Sequence, residues 1–325
     1  MKDVPKELLD FIKTGNIFLV AGHRDPDGDC VGSQLALCSA LSRLGKEAYP
    51  CSAGPFKRSE VKPYEKFFVS APDKVNREGA RVIITDCGSL DRTGDLGPFL
   101  ENLPTAFIDH HERGNNVAED QSGPLYISDD APSVTLMILT LIRALGRETS
   151  REEAEFLLFG LCTDTGFFRH GDEDSAATFE AAARLTYAGA SPKKTYAAIH
   201  GGKSLGSRYL LGRVLCRAET HFGGKLILSS EEYEETQIYG QEGRDSDSLY
   251  QLLQSITGVE AIVIIRQEKP DNCTVGLRSR DEVDVAAVAR SLGGGGHKNA
   301  AGFSLAGTIP ELKIRILDEF RRIFP

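Results

Sequence analysis

Short apolar runs in the first half of the chain are each followed directly by polar residues. The run Ile17–Ala21 leads into a loop of Asp, Gly and Pro, and the stretch Gly32–Gly45 after it has the pattern of a helix. Two further runs, Arg81–Thr85 and Thr105–Ile108, each end at an aspartate. This order predicts an α/β fold with a mainly parallel sheet flanked by helices. The carboxyl ends of such strands meet at one crevice, so we expect the polar residues to converge there.

The second half of the chain repeats the alternation of strands and helices on a smaller scale. A helical pattern over Ser204–Ala218 predicts a helix that connects the first half of the chain to this second half. At 325 residues, the chain is also longer than one hydrophobic core usually serves. We therefore predict a first, larger α/β domain over residues 1–188, a helical linker over 189–222 and a smaller α/β domain over 223–325.

The charge and composition exclude several classes of protein. A net charge of -9 argues against a protein that coats long nucleic acid, because such binding neutralises many phosphates. No apolar run is long enough to cross a bilayer, so we expect a cytoplasmic protein. The seven cysteines occur singly, which favours neither a zinc knuckle nor a disulfide framework. We interpret each cysteine as a small buried apolar residue.

Imidazoles and carboxylates follow the predicted strands and one apolar helix. They are His23, Asp27, Asp29, Asp86, Asp109, His110, His111 and Asp164. Carboxylates packed closely repel each other unless they splay into solvent or a cation holds them. Carboxylates with a minority of imidazoles and no thiolate suit Mn²⁺, with Mg²⁺, Co²⁺ or Zn²⁺ as alternatives. Two such ions about 3.5–4 Å apart clamp the attacking and leaving oxygens of a displacement at phosphorus, so we predict phosphate ester hydrolysis.

The same residues, in the same order, resemble the four motifs of the DHH phosphoesterase superfamily. The resemblance implies that Asp86 bridges two ions, that His23 and Asp27 complete one of them, and that Asp29, His110 and Asp164 complete the other. It also implies that Asp109 orients a neighbour and that His111 is left for chemistry or phosphate binding. Asp25 has no such role, and we expect it to shape the turn.

A run of four glycines and a histidine, Gly293–His297, marks the second half. A flexible linker is one interpretation. The other is an anion cradle of Gly294, Gly295, Gly296 and His297, assisted by Arg278 and Arg280. The cradle is favoured because Ala300–Phe303 reads as the start of a packed strand and leaves no polar spacer.

The glycine run and the stretch Val275–Ser279 together resemble a DHHA1 domain, which implies that Ser279 also belongs to the substrate-binding residues. The segment Thr163–Gly166 with Phe168–Arg169 resembles the fourth motif of the bacterial nanoRNase and pAp phosphatase branch. Arg169 is thus either a phosphate contact or part of an exposed salt bridge.

The resemblance implies an enzyme that degrades short oligoribonucleotides to mononucleotides, removes the 3′-phosphate of 3′-phosphoadenosine 5′-phosphate (pAp) to leave AMP, or does both. The alternatives are a phosphodiesterase for cyclic or linear dinucleotides and, from another class, a nucleotide-binding module without turnover. We expect short RNA or small nucleotides as partners, no membrane and no long duplex, and the resemblance implies a homodimer.

Overall fold

The computed structural model describes residues 2–70, 78–111, 123–169, 175–239, 244–280 and 282–324. The chain forms two compact units, Met1–Gly202 and Lys203–Pro325. Among the described residues, no helix is both long and apolar enough to span a membrane.

The first unit is built on a five-stranded parallel sheet. Its strands are β1 (Ile17–Ala21), β2 (Glu47–Cys51), β3 (Ala80–Thr85), β4 (Thr105–Asp109) and β5 (Leu125–Ile127). They lie in the order β2-β1-β3-β4-β5, and each neighbouring pair is parallel. Four of the five residues of β1 and of β4 are buried, as expected for strands covered on both faces. The parallel sheet predicted from the sequence is confirmed.

Helices of the first unit lie before, between and after these strands. They are α1 (Lys6–Thr14), α2 (Gly28–Arg43), α3 (Gly97–Leu100), α4 (Val134–Ala144), α5 (Arg151–Asp164), α6 (Ala176–Tyr187) and α7 (Pro192–His200), with 3₁₀ turns at Lys62–Phe67 and Leu90–Leu96. The largest core cluster lies among α2, α4, α5 and the sheet.

Helix α2 starts four residues earlier than the pattern predicts, because Asp27 caps it. The Asp27 carboxylate accepts hydrogen bonds from the backbone N–H groups of Asp29 and Cys30, both at 3.1 Å. A capping carboxylate satisfies N–H groups that have no partner inside the helix. Apolar periodicity carries no record of such a cap.

The second unit has a mixed six-stranded sheet. Its strands are β6 (Glu219–His221), β7 (Leu226–Glu231), β8 (Ala261–Lys269), β9 (Asn272–Ser279), β10 (Gly295–His297) and β11 (Ala300–Ala306), in the order β10-β11-β9-β8-β7-β6. Only the pair β7 and β8 is parallel. Helices are α8 (Leu205–Cys216), α9 (Tyr233–Tyr239), α10 (Ser246–Gln254), α11 (Val285–Ser291) and α12 (Ile309–Phe320), with a 3₁₀ turn at Phe222–Gly224. One core cluster includes residues of α11 and α12, and another includes residues of α8 and α10.

Two segments that the sequence analysis left open or assigned to a linker have defined places in the fold. The glycine run is not a linker, because residues 295–297 form the edge strand β10, which pairs with β11. The segment 189–222, which we predict as a linker, divides between the units: α7 belongs to the first and α8 to the second.

Glycines bring α2 and α5 together. A Cβ atom on Gly32 would lie 2.5 Å from the carbonyl oxygen of Phe156 in α5. A Cβ atom on Gly160 in α5 would lie 3.0 Å from the carbonyl oxygen of Gly28 in α2, and 2.4 Å from Cγ2 of Thr135 in α4. Contacts this short cannot exist without movement of the backbone or of neighbouring groups. The spacing of the two helices therefore depends on these glycines.

Gly160→Ala should destabilise the first unit by about 1–3 kcal/mol, since overpacking outweighs the gain in helix propensity. Gly212→Ala in α8 is the control, because a Cβ atom there meets nothing within 4 Å and should stabilise its helix. Urea unfolding followed by circular dichroism measures both changes. Equal stabilisation by the two substitutions would show that a methyl group fits at residue 160 without overpacking.

Candidate metal centre

The carboxyl ends of β1, β3 and β4 bring the predicted metal-site residues of the first unit together. Gly22 and His23 follow β1, Asp86 follows β3, and His110 and His111 follow Asp109 at the end of β4. The start of α2 adds Asp27 and Asp29, and the last residue of α5 is Asp164. Ligand atoms of Asp29, His110 and Asp164 lie within 4.8 Å of one another, as do those of Asp86, His110 and His111.

Asp86 lies at the middle of this site. Its Oδ2 atom is 3.4 Å from Nε2 of His23, and its Oδ1 atom is 3.7 Å from Nε2 of His110. The residue is 2% exposed and has a left-handed backbone, with φ of 63°. Such a conformation costs a non-glycine residue free energy and tends to persist at functional sites. Burial raises the pKa of Asp86 well above its usual value. The two oxygens of one carboxylate therefore face two different histidines.

His23 and His110 present the same nitrogen to the carboxylates. The Nδ1 atom of His23 donates to the carbonyl of Arg24 at 2.9 Å, and Nδ1 of His110 donates to the carbonyl of Ala131 at 3.0 Å. A carbonyl oxygen can only accept, so each bond fixes the tautomer and leaves Nε2 for a ligand. Burial works against protonation of His23, but Asp27 and Asp86 outweigh it and raise its pKa.

Asp29 is oriented by the start of helix α4. Its Oδ2 accepts from the N–H of Val134 at 2.6 Å, and its Oδ1 accepts from the N–H and the hydroxyl of Thr135 at 2.9 and 2.7 Å. These donors and the helix dipole favour a carboxylate. Burial nevertheless dominates and raises the pKa of Asp29. A buried carboxylate held in this way is ready to bind a cation.

Asp27 and Asp164 flank Asp29 and have opposite pKa shifts. Burial raises the pKa of Asp164 to about 7, and the nearby charge of Asp29 adds to the shift. For Asp27, burial is outweighed by the hydrogen bond with His23, so its pKa is lowered. Arg58 lies 3.7 Å from Asp27 and is the one arginine or lysine that forms an ion pair with the metal-site carboxylates among the described residues. The remaining negative charge calls for a further cation.

His111 is held by Asp109 and not by a backbone carbonyl. Its Nδ1 atom donates to Oδ1 of Asp109 at 2.7 Å, and the same oxygen accepts from the N–H groups of His110 and His111. The hydrogen bond to Asp109 raises the pKa of His111. Its side chain is 47% exposed, against 15% for His110. His111 thus faces the solvent side of the site, and Nε2 is the ring nitrogen that is not engaged with Asp109.

The donor set fits divalent cations. The geometry offers imidazole Nε2 atoms and carboxylate oxygens around Asp86, with the tautomers fixed by outer hydrogen bonds, and oxygen-rich sites with some imidazole hold ions such as Mn²⁺ and Mg²⁺. The carboxylate of Asp25 pairs with Lys57 at 3.0 Å. Arg169, three residues beyond the glycine at the end of α5, is exposed.

The sequence analysis missed one group at this site, the thiol of Cys30. Its Sγ atom, a ring nitrogen of His23 and an oxygen of Asp86 lie within 4.8 Å of one another. Cys30 is buried, as predicted for each cysteine and observed for all but Cys216, but it borders the metal site and not only the core. Its position directly after Asp29 in the first motif is the signal that could have identified it.

In the second unit, Arg278 and His297 share one face of the sheet. His297 pairs with Ala300 across β10 and β11, and Ala300 pairs with Arg278 across β11 and β9. Residues directly opposite each other in a sheet point to the same side. The guanidinium of Arg278 lies 4.7 Å from the ring centroid of Tyr250, a cation–π contact that limits its freedom. A small side chain, that of Ala300, separates the two basic ones.

The other predicted substrate residues of this unit differ in exposure. Gly295, Gly296 and His297 are exposed along β10, and Gly294 is half-buried beside them. Arg280 donates to the carbonyl of Gln254. Ser279 is 5% exposed and its hydroxyl donates to the carbonyl of Val283 at 2.6 Å. This burial does not fit a substrate contact, because the hydroxyl closes the loop that leads to α11.

Comparisons with known protein families match one domain in each of the two units. Residues 17–161 match the DHH family, N-terminal domain, and residues 213–324 match the DHHA1 domain. A bifunctional oligoribonuclease and PAP phosphatase NrnA of Thermus thermophilus is 33% identical, over 93% of this chain and 88% of the relative.

Two solved structures have the same fold. An exopolyphosphatase-related protein of Bacteroides fragilis has a TM-score of 0.83 at 22% identity and covers 100% of this chain and 99% of its own. A structure of RecJ in complex with Mn²⁺, from Thermus thermophilus, has a TM-score of 0.53 at 19% identity and covers 98% of this chain and 54% of its own.

Asp86→Asn should lose most of the bound divalent metal, whereas His111→Ala should keep it. The reason is that Asp86 faces two histidines, while Nδ1 of His111 is already engaged with Asp109. Metal content after dialysis against Mn²⁺, measured by mass spectrometry on folded protein, decides between them. Loss of one equivalent from His111→Ala would make His111 a ligand.

Proposed function

The chain belongs to the DHH phosphoesterase family and carries a DHHA1 domain, and we propose that it is a nanoRNase and pAp phosphatase. It would degrade short oligoribonucleotides to mononucleotides and convert pAp to AMP. The relative from Thermus thermophilus, which is named for both activities, supports this choice. The coarser assignment, a phosphodiesterase or phosphatase that uses divalent metal, follows from the family and the donor set.

The observation that carries the proposal is the central position of Asp86. Its two oxygens face His23 on one side and His110 on the other. We assign His23, Asp27 and Asp86 to one ion. Asp86 also contributes to the second ion, whose other ligands are Asp29, His110 and Asp164. Two ions held there would supply Lewis-acid chemistry, activating water and stabilising the charge that develops on the phosphoryl oxygens. We propose Mn²⁺ for both ions, because imidazole nitrogens share the site with the carboxylates.

His111 and Asp109 would act on the substrate itself. Asp109 fixes the ring of His111 through Nδ1 and raises its pKa, so in the imidazolium form Nε2 carries a proton that points in a constant direction. A positioned imidazole of this kind can protonate a leaving oxygen or hydrogen-bond to a phosphoryl oxygen. This role agrees with the exposure of His111, which exceeds that of His110.

The second unit would bind the nucleotide. Arg278 and His297, on one face of the sheet, offer charge-assisted hydrogen bonds to a phosphate, and the N–H groups of Gly294, Gly295 and Gly296 would assist. Arg280 would add charge in the same unit, and Arg169 would contact phosphate from the first unit. We leave out Ser279, because its hydroxyl donates to the carbonyl of Val283. We accordingly propose residues 1–188 as the catalytic domain and 223–325 as the substrate-binding domain. A cytoplasmic homodimer is part of the same proposal.

Product analysis tests the proposal. The protein with Mn²⁺ should release phosphate from pAp and mononucleotides from dinucleotides, with rates that fall steeply as RNA lengthens towards 20 residues. Asp86→Asn is the inactive control. Turnover of cyclic dinucleotides alone would favour the dinucleotide phosphodiesterase, and tight binding of pAp without phosphate release would favour a nucleotide-binding module.

His297→Ala should lower kcat/KM on pAp and on dinucleotides by about 10- to 150-fold, because it loses a charge-assisted contact. Hydrolysis of bis(p-nitrophenyl) phosphate, which has no nucleotide to bind, should stay nearly unchanged. Arg290→Ala, which removes an exposed charge from α11, is the control and should change neither rate. An equal loss on both substrates, with metal content unchanged, would place His297 in the catalytic site.

A further inference from the structure

The thiol of Cys30 occupies a specific position beside the metal site. Its Sγ atom lies within 4.8 Å of both a ring nitrogen of His23 and a carboxylate oxygen of Asp86, as three ligands of one ion would. Gly22 makes this position possible, because a Cβ atom on residue 22 would lie 2.2 Å from the sulfur. The loop after β1 therefore leaves room for a sulfur atom next to the imidazole.

The sulfur is held in place beside the site. The side-chain amide of Gln34 donates a hydrogen bond to Sγ at 3.2 Å, and Cys30 lies in the first turn of α2, directly after Asp29. Burial raises the pKa of the Cys30 thiol to about 11, so the thiol keeps its proton until a metal ion displaces it. Neither the hydrogen bond nor this position is needed for a cysteine that only fills space in the core, such as Cys38 on the same helix, which belongs to the main core cluster.

We infer that Cys30 is a thiolate ligand for soft and borderline divalent ions, such as Cd²⁺, Zn²⁺ and Co²⁺, at the position formed with His23 and Asp86. The sulfur–metal bond replaces the S–H bond, and the proton leaves to solvent. Hard ions such as Mn²⁺ prefer the oxygen and imidazole donors, so the same position holds them without sulfur. The site thus has two ligand sets, and the softness of the ion selects between them.

The inference rests on the metal site of the proposed function, and spectroscopy tests it separately from activity. Titration of the metal-free full chain with Co²⁺ or Cd²⁺ should produce the ultraviolet charge-transfer band of a metal–thiolate bond. Cys30→Ala and Cys30→Ser should lose this band. Their Cd²⁺ affinity should fall by at least about 10- to 100-fold, because loss of a group that only supports a ligand already costs that much and Cys30 is proposed as a ligand itself. Cys38→Ala is the control and should retain both the band and the affinity.

Mn²⁺ binding separates the possible outcomes. The Cys30 variants should bind Mn²⁺ within about threefold of the unsubstituted protein, since a hard ion gains little from sulfur, and this also shows that they are folded. A band that persists in both Cys30 variants, or that never appears in a protein that binds Mn²⁺, overturns the thiolate assignment alone. Failure of the unsubstituted chain to bind any divalent ion would instead overturn the proposed function.

Discussion

The repulsion among buried carboxylates is the constraint on which the first unit depends. Asp29 and Asp86 are 1% and 2% exposed, and burial raises the pKa values of both. Asp164 has its pKa raised to about 7 by burial and by Asp29. Burying such a group of acids destabilises the folded state unless hydrogen bonds and cations compensate for the lost hydration and the repulsion. Donors from backbone and imidazole supply part of this compensation, and divalent ions supply the rest in our proposal.

The packing of the helices also holds these carboxylates in position. The start of α4 donates two N–H groups and a hydroxyl to Asp29, and the glycine contacts of α2 with α5 hold Asp29 near Asp164. A change in the distance between these helices would therefore move ligands as well as core residues. Metal binding and the stability of the first unit are in this way linked, because anything that binds only the folded state stabilises it.

The second unit differs from the first in presenting basic side chains instead of carboxylates. Its sheet presents Arg278 and His297 on one face, with the small side chain of Ala300 between them and glycines along the edge strand. Arg278 is further restrained by the ring of Tyr250. Restraint of this kind lowers the entropy lost when a phosphate binds. The division of labour proposed for the two domains thus has a physical basis in the residues of each unit.

The sequence by itself determined the α/β fold, the DHH and DHHA1 motifs and the residues at the strand ends, because periodicity and strand-end position are local properties of the chain. Helix α2 begins at Gly28 because Asp27 caps it. This cap is also a local property of the chain, but the spacing of apolar residues does not reveal it. Only the tertiary structure decided which nitrogen each histidine offers, since the carbonyls of Arg24 and Ala131 that fix them depend on the fold. The same holds for Ser279, whose hydroxyl is used inside its own loop, and for Cys30. A cysteine with no cysteine partner looks apolar in sequence, and its place beside His23 and Asp86 arises only when strands and helices pack and bring distant residues together.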